Sequence, residues 1–264
     1  MSLVVATGLA AEARIAGKPD VATIIGAGRA EQLAADLEAA IAAKATRILS
    51  FGVAGGLFPE LRAGDLIVAD GLRDGAVRRR CDPIWRSAMS RRLQRFPLGA
   101  GQGDAVSPTP EPQSEGAVLR LAGDGRWRAT PHVRGRFGTI DIVGADAPVI
   151  DVKGKAALFV ASGAVAVDME SAIVARVAQR HNVPFAILRV IADPASRSLP
   201  SSALGATGQD GEIDVADLLA GLIANPGQLL ALARLAVEAR RAFSVLKRAR
   251  ATLGADFASL DAED

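Results

Sequence analysis

Short apolar runs of strand length alternate along this chain with helix-length segments rich in alanine, leucine and arginine. That alternation constrains the fold most, because it favours helices layered on a sheet with parallel-type connections. The strand candidates are residues 2–7, 20–25, 47–53, 65–70, 139–143, 164–168 and 185–192. The helix candidates are 28–43, 84–95, 152–162, 169–181, 214–223 and 226–253. Gly26-Ala27-Gly28 and Asn182-Val183-Pro184 supply turns between them. Half of the 264 residues are apolar, which is ample for a sizeable core.

Two regions break the rhythm. Residues 97–137 are rich in Gly, Pro, Ser and Arg, contain Pro108, Pro110 and Pro112, and show little periodicity. They read as a poorly ordered insertion, with a lid as the alternative. The last helix, 226–253, is amphipathic: Leu232, Ala236, Ala239, Phe243, Leu246 and Leu253 form one stripe, with Arg234, Glu238, Arg241 and Arg248 on another side. Six basic residues and one acidic residue lie between Arg234 and Arg250. Two readings stand for this helix, a cap on the core with a solvated basic face and a contact with an anionic membrane surface.

Several function classes are excluded. A formal net charge of +2 is too small to argue for a nucleic-acid partner. Arg78, Arg79 and Arg80 with Arg91, Arg92 and Arg95 nevertheless form a basic region, and the last ten residues turn acidic. Cys81 stands alone, so an internal disulfide is impossible and a reducing cytoplasm is expected. His132 and His181 lack the spacing of a metal site. No segment reaches the roughly 18 to 20 apolar residues of a spanning helix, and the start of the chain does not read as a signal peptide.

Four stretches carry the chemistry, each at the expected C-terminal end of a strand, where parallel-sheet proteins bind ligands. They are Thr7-Gly8-Leu9-Ala10-Ala11-Glu12, Phe51-Gly52-Val53-Ala54-Gly55-Gly56-Leu57, Val167-Asp168-Met169-Glu170-Ser171-Ala172, and the run from Val183 to Asp193. A single carboxylate after a strand is usually a helix cap. Glu12, Glu170 and Asp193 at three strand ends suggest convergence on one crevice instead. The Gly26-Ala27-Gly28 turn invites a dinucleotide-binding reading, but Glu31 stands where that fingerprint needs its third glycine.

The second, third and fourth stretches resemble the signature segments of the nucleoside phosphorylase/nucleosidase superfamily, which contains purine nucleoside phosphorylases and methylthioadenosine/S-adenosylhomocysteine nucleosidases. Gly8 to Arg14, Ala145-Asp146-Ala147-Pro148-Val149, Ala166 to Ser171, and the tail from Ile213 to Leu229 are similar to the hopanoid-associated branch. The resemblance covers roughly residues 2–72 and 139–253. It implies one α/β domain over 1–264, a three-layer α/β/α sandwich with a central mixed sheet. It also implies a cytoplasmic homodimer without metal or organic cofactor, and adenosylhopane as substrate, cleaved to adenine and ribosylhopane. A membrane-embedded hopane tail would require peripheral contact with the inner face of the membrane, for which the basic helix is the candidate. A small thioether nucleoside, or a non-catalytic nucleoside- or lipid-binding protein on the same fold, are the rival readings.

Carried over residue by residue, Glu170 resembles the carboxylate that accepts the ribose 2′- and 3′-hydroxyls. Met169 resembles the thioether that packs on the sugar, although core filling is the plain alternative. Asp168, beside them, is expected in the substrate site. Asp193 resembles the acid that protonates or hydrogen-bonds the departing purine at N7. Glu12 resembles the base that activates water, and a carboxylate there would repel phosphate. Val53 offers no hydroxyl to phosphate, while glycines such as Gly55 let backbone amides approach the sugar. Arg14, Arg29 and Arg189 keep phosphate open as a co-substrate. Ala192 replaces a serine that usually orients the aspartate. Pro148 replaces an aromatic residue that stacks on the purine, which leaves Val149 and Phe159 to line the base pocket.

Overall fold

The computed structural model describes residues 2–17, 21–95, 116–199 and 229–259. Its strands are β1 (Ser2–Thr7), β2 (Ala22–Ile25), β3 (Ala45–Gly56), β4 (Leu66–Val68), β5 (Gly71–Asp74), β6 (Val77–Arg80), β7 (Ala117–Leu121), β8 (Trp127–Ala129), β9 (Asp141–Gly144), β10 (Ala166–Asp168) and β11 (Phe185–Asp193). Its helices are α1 (Ala10–Ala16), α2 (Ala30–Ala42), α3 (Pro83–Arg95), α4 (Pro131–Phe137), α5 (Val152–Ser162), α6 (Ser171–Arg180) and α7 (Leu229–Leu253).

All these strands join one mixed sheet in the order β6-β5-β9-β10-β3-β11-β4-β7-β8, with β1 between β2 and β3. The twelve-residue β3 organises it. Its first half runs parallel to β1, while Gly55 and Gly56 at its end pair antiparallel with β10. Along its other edge β11 runs parallel from Phe185↔Ile48 to Asp193↔Gly55. The pairing shifts between Ile191 and Asp193, so two residues of β11 are set against one of β3. Such a bulge re-aims the side chain that follows it.

Alternation along the strands sorts side chains onto two faces. Val4, Ala6, Ile48, Ile187 and Ile191 pack with α2 and α6. Leu3, Val5, Leu49, Phe51, Ala186, Leu188 and Val190 pack with α3 and α7. The expected three layers, helices on both faces of a mixed sheet, are therefore present. By the same parity Ser50, Gly52 and Arg189 fall on the α2/α6 face, so a polar strip is set into an otherwise apolar layer.

The seven expected strands all form, with ends shifted by up to three residues. Four further strands and two short helices, α1 and α4, were not legible as elements. The expected helix at 214–223 lies outside the described residues, as do 226–228 at the start of the last helix.

Residues 97–115 of the expected insertion also lie outside the described residues, but 116–137 depart from the poorly ordered reading. They form β7, β8 and α4, because two buried carboxylates anchor them. Asp65 takes a bidentate pair from Arg120, 2.6 Å on each arm. Asp70 accepts from the amides of Gly116 and Ile140, each at 2.6 Å.

Part of the basic region is neutralised in place. Asp141 takes Arg73 and Arg78 at 2.9 and 2.7 Å, and Asp74 takes Arg79 and Arg176 at 3.1 and 2.6 Å. The second half of α7 belongs to the core through Ala242, Val245, Leu246, Ala249 and Leu253. Its Arg250 turns inward, donating to Ala16 O at 3.0 Å and lying 4.4 Å from the Phe257 ring centroid. Arg234, Arg241 and Arg248 remain exposed. Among the described residues no helix is long and apolar enough to cross a membrane.

Candidate active site

Four of the chain's turns bring its signature residues to the C-terminal ends of β1, β3, β10 and β11. Glu12 sits in the first turn of α1, directly after β1. Its Oε2 accepts from the amides of Gly8 and Leu9 at 2.8 and 2.9 Å, which caps the helix as a lone carboxylate there commonly does. Its Oε1 reaches across to the Val53 amide on β3 at 2.7 Å, a contact that capping does not need. The carboxylate is buried, and burial raises its pKa above the usual range while the neighbouring Arg189 guanidinium opposes the rise.

Arg189 is the hub. It is fully buried in the middle of β11. Nε lies 2.5 Å from Asp168 Oδ2, and Nη2 donates to Ser50 Oγ at 2.7 Å and, more weakly, to Glu170 Oε2 and Ser171 Oγ at 3.4 Å. The hydroxyls of Ser50 and Ser171 meet each other at 2.9 Å. Gly52 makes room for this arrangement: a methyl group on its α-carbon would overlap both Glu12 Oε1 and Arg189 Nη1.

Glu170 precedes α6, yet its side chain makes no capping hydrogen bond. Asp168 caps that helix, accepting from Ser171 N at 3.1 Å and also from Ser171 Oγ. The Glu170 carboxylate is thus free to turn over Gly8, where a Cβ would come within 2.7 Å of Oε1. Gly8 therefore serves both acids, donating its amide to Glu12 and leaving room for Glu170. Burial pushes Glu170 up to about 7, with Arg189 opposing and the Asp168 and Glu12 charges adding to the rise.

Asp193 stands apart from that cluster, after the bulge and beside Gly55. Its Oδ2 is in direct contact with Nζ of Lys155, a fully buried lysine of α5. Burial raises the Asp193 pKa, and Lys155 works against it.

Several expected placements need correction. Asp168 does not face a substrate, because its oxygens are engaged by Ser171 and Arg189 and its side chain is 1% exposed. The Val53 amide is committed to Glu12 and is not available to a sugar. Phe159 belongs to an aromatic cluster, with its ring 5.7 Å from Phe137 and 6.0 Å from Phe58. Val149 is half-buried and packs beside Val143 and Leu57, while Pro148 is exposed. Met169 is half-buried and, with Glu170, Gly28, Arg29 and Asp146, lines a crevice between the starts of α2 and α6. Arg189 is enclosed by its protein partners and is not placed to receive phosphate. Arg14 and Arg29 are exposed.

Two functional-looking residues were missed as such. Arg189 figured only as a phosphate ligand, although a lone charge inside an apolar strand demands partners. Lys155 gave no signal beyond its place in a helix. Among the described residues no group of three or more His, Cys, Asp or Glu could hold a metal ion.

Comparison with curated protein sequences returns no match. Among solved structures, the chain is similar to 5′-methylthioadenosine/S-adenosylhomocysteine nucleosidase of S. pneumoniae with a transition-state inhibitor. That likeness has a TM-score of 0.54 and 14% identity, over 96% of this chain and 100% of that one. It is also similar to S-adenosylhomocysteine nucleosidase of Streptococcus pyogenes in complex with 5-methylthiotubericidin, at a TM-score of 0.53 and 15% identity, over 94% and 95% of the two chains. The nucleosidase of Neisseria meningitidis in complex with methylthio-immucillin-A gives a TM-score of 0.51 and 15% identity, over 94% and 97%. These identities speak for the fold. Residues 3–224 match the family described as the phosphorylase superfamily. With most of its length matched, this chain belongs to the phosphorylase superfamily.

Proposed function

We propose that the protein hydrolyses the N-glycosidic bond of a purine nucleoside, with Glu12 as the base that activates water. The observation that carries this reading is the placement of Glu12, held by three backbone amides beside Arg189 and close to Glu170. Glu12, Asp168 and Glu170 surround one arginine, so the cluster carries more negative than positive charge when ionised. A phosphate dianion would be repelled there, whereas a neutral water would not.

In this mechanism Glu170 accepts the ribose hydroxyls and Met169 packs against the sugar. Water attacks C1′ as the bond to the purine breaks, its proton passes to Glu12, and Asp193 delivers a proton to N7 of the leaving base. Gly55 lets the backbone lie close to the reacting centre, and Val149 with Pro148 borders the base. No metal or organic cofactor is called for.

The preferred substrate is adenosylhopane, released as adenine and ribosylhopane. The Gly8–Arg14 and Ala166–Ser171 segments, with Pro148 in place of an aromatic residue, support that branch over one acting on small thioethers. The exposed Ile150 and Val152 give the neighbourhood of Pro148 and Val149 an apolar surface suited to a hydrocarbon. The exposed arginines of α7 are the proposed contact with an anionic membrane, and a homodimer acting in the cytoplasm is the proposed assembly. Residues 242–253 form part of the core, so the membrane contact is tested by reversing the charge of Arg234 and Arg241, not by removing the helix. Unchanged flotation of that variant with anionic liposomes would sink it.

The direct test is adenine release from adenosylhopane in mixed micelles, beside methylthioadenosine, with and without phosphate. Release from adenosylhopane without phosphate is expected. Dependence on phosphate would overturn the assignment of water, and release from methylthioadenosine alone would overturn the branch. Glu12→Ala and Asp193→Ala should each lower turnover by about 10²–10⁴-fold, and a normal rate in either removes that residue from the mechanism.

A further inference from the structure

Helix α5 buries a charged residue more fully than any of its apolar ones. Of its eleven residues, Lys155 is the one that is buried, while Val152 and Val160 are 42% and 83% exposed. A buried ammonium among exposed valines is costly to fold and needs a compensating set of acceptors. Lys155 has one. Its Nζ contacts Asp193 Oδ2 and donates to the carbonyls of Pro194 and Arg197, at 3.2 and 2.9 Å. Three acceptors for three N–H bonds saturate the group, which leaves none for a substrate.

We infer that Lys155 is the positioning residue for Asp193. It fixes Oδ2 and the turn that follows, so that the other carboxylate oxygen faces the leaving base. This inference rests on the reading of Asp193 as the acid of the reaction. It answers a question raised by Ala192, which has no hydroxyl to orient the aspartate. The cation that does so comes from a different element, 38 residues earlier. The Arg197 side chain continues the chain of contacts to Glu238 of α7 at 3.3 Å, so the turn is clasped from both sides.

A lysine that merely fills space and one that sets the aspartate differ in what its removal does to pH dependence. Lys155 opposes the raising of the Asp193 pKa by burial, so its loss raises that pKa further. Turnover that needs protonated Asp193 falls as pH rises through this value, and the alkaline limb of the pH profile should move upward in Lys155→Met. The test measures kcat, KM and that limb for adenine release from adenosylhopane in micelles. For Lys155→Met we expect a fall in kcat of about 10²-fold, as for misplacement of a reacting group, with KM changed less than kcat. Wild-type kcat in the variant overturns the inference, and so does a lower kcat with an unmoved limb.

Lys155→Arg keeps the charge and is the second variant, informative if the first does not fold. Its limb should stay in place while part of kcat is lost. A displaced limb overturns the inference. Normal turnover in Asp193→Ala would instead strike the underlying reading of Asp193, so the two failures are distinguishable.

Discussion

Two fully buried cations, Arg189 and Lys155, hold the two ends of the candidate site, and they do so differently. Arg189 lies on a strand and binds outward in several directions, to Asp168, Glu170, Ser50 and Ser171. Lys155 lies on a helix and binds one carboxylate and two backbone carbonyls. The planar guanidinium can bind several groups at fixed angles, while the ammonium acts as a compact charge with three donors. Under the proposed mechanism, the end that takes sugar and water is held by a network, and the end that takes the base is held by one cation with a single side-chain partner.

The largest effect expected from this contrast is on stability. Arg189→Met leaves Asp168, Glu170 and Glu12 buried without their cation, and should cost about 3–5 kcal/mol in denaturant unfolding. Lys155→Met strands one carboxylate and should cost less. Equal losses would dissolve the distinction between network and single contact.

A smaller effect should follow from Gly52→Ala, whose methyl group must displace Glu12 or Arg189. Overpacking of this kind costs about 1–3 kcal/mol. It should also lower turnover, because both acid and arginine would be moved. Full activity with wild-type stability would mean that the network yields more readily than its packing suggests.

The last effect is a pH dependence. Glu170 titrates at about 7 in the folded chain against an ordinary 4.5. The folded state therefore holds this proton where the unfolded chain has lost it, and stability falls as pH rises from about 4.5 to about 7. Glu170→Gln removes that slope. Thermal melts should show the variant gaining on the wild type across this window and holding level above it. A constant difference would mean that Glu170 is ionised throughout, and that Arg189 dominates its environment more than burial does.

Much of the layering was legible in the sequence, because alternating runs such as Leu3–Ala6 and Phe185–Ile191 state which residues must be covered. Elements made of polar residues were not. The strand Val77–Arg80 is three-quarters arginine, and its partners, the sequence-distant Asp141 and the nearby Asp74, make it a strand edge rather than a basic patch. Strands β7 and β8 were hidden for the same reason, since Asp65 and Asp70 anchor a segment whose own composition suggests a loop. In the site, the three carboxylates could be picked out because each ends a strand motif. Which of them cap helices could not. Glu12 does so in part, Glu170 does not, and the capping of α6 falls to Asp168. Lys155 was invisible because a lysine in a helix normally points to water, and its burial is set by a carboxylate on another element.

The bulge before Asp193 makes β11 a ruler. Arg189 and Asp193 are four residues apart on one strand, at most about 13 Å at an extended rise and less across the bulge. If Glu12 and Asp193 act as proposed, the width of molecule gripped between them is written in backbone rather than in loops. On the proposed function, surface segments can be exchanged to admit a different tail, but inserting or deleting one residue between these two positions would change the size of nucleoside that fits.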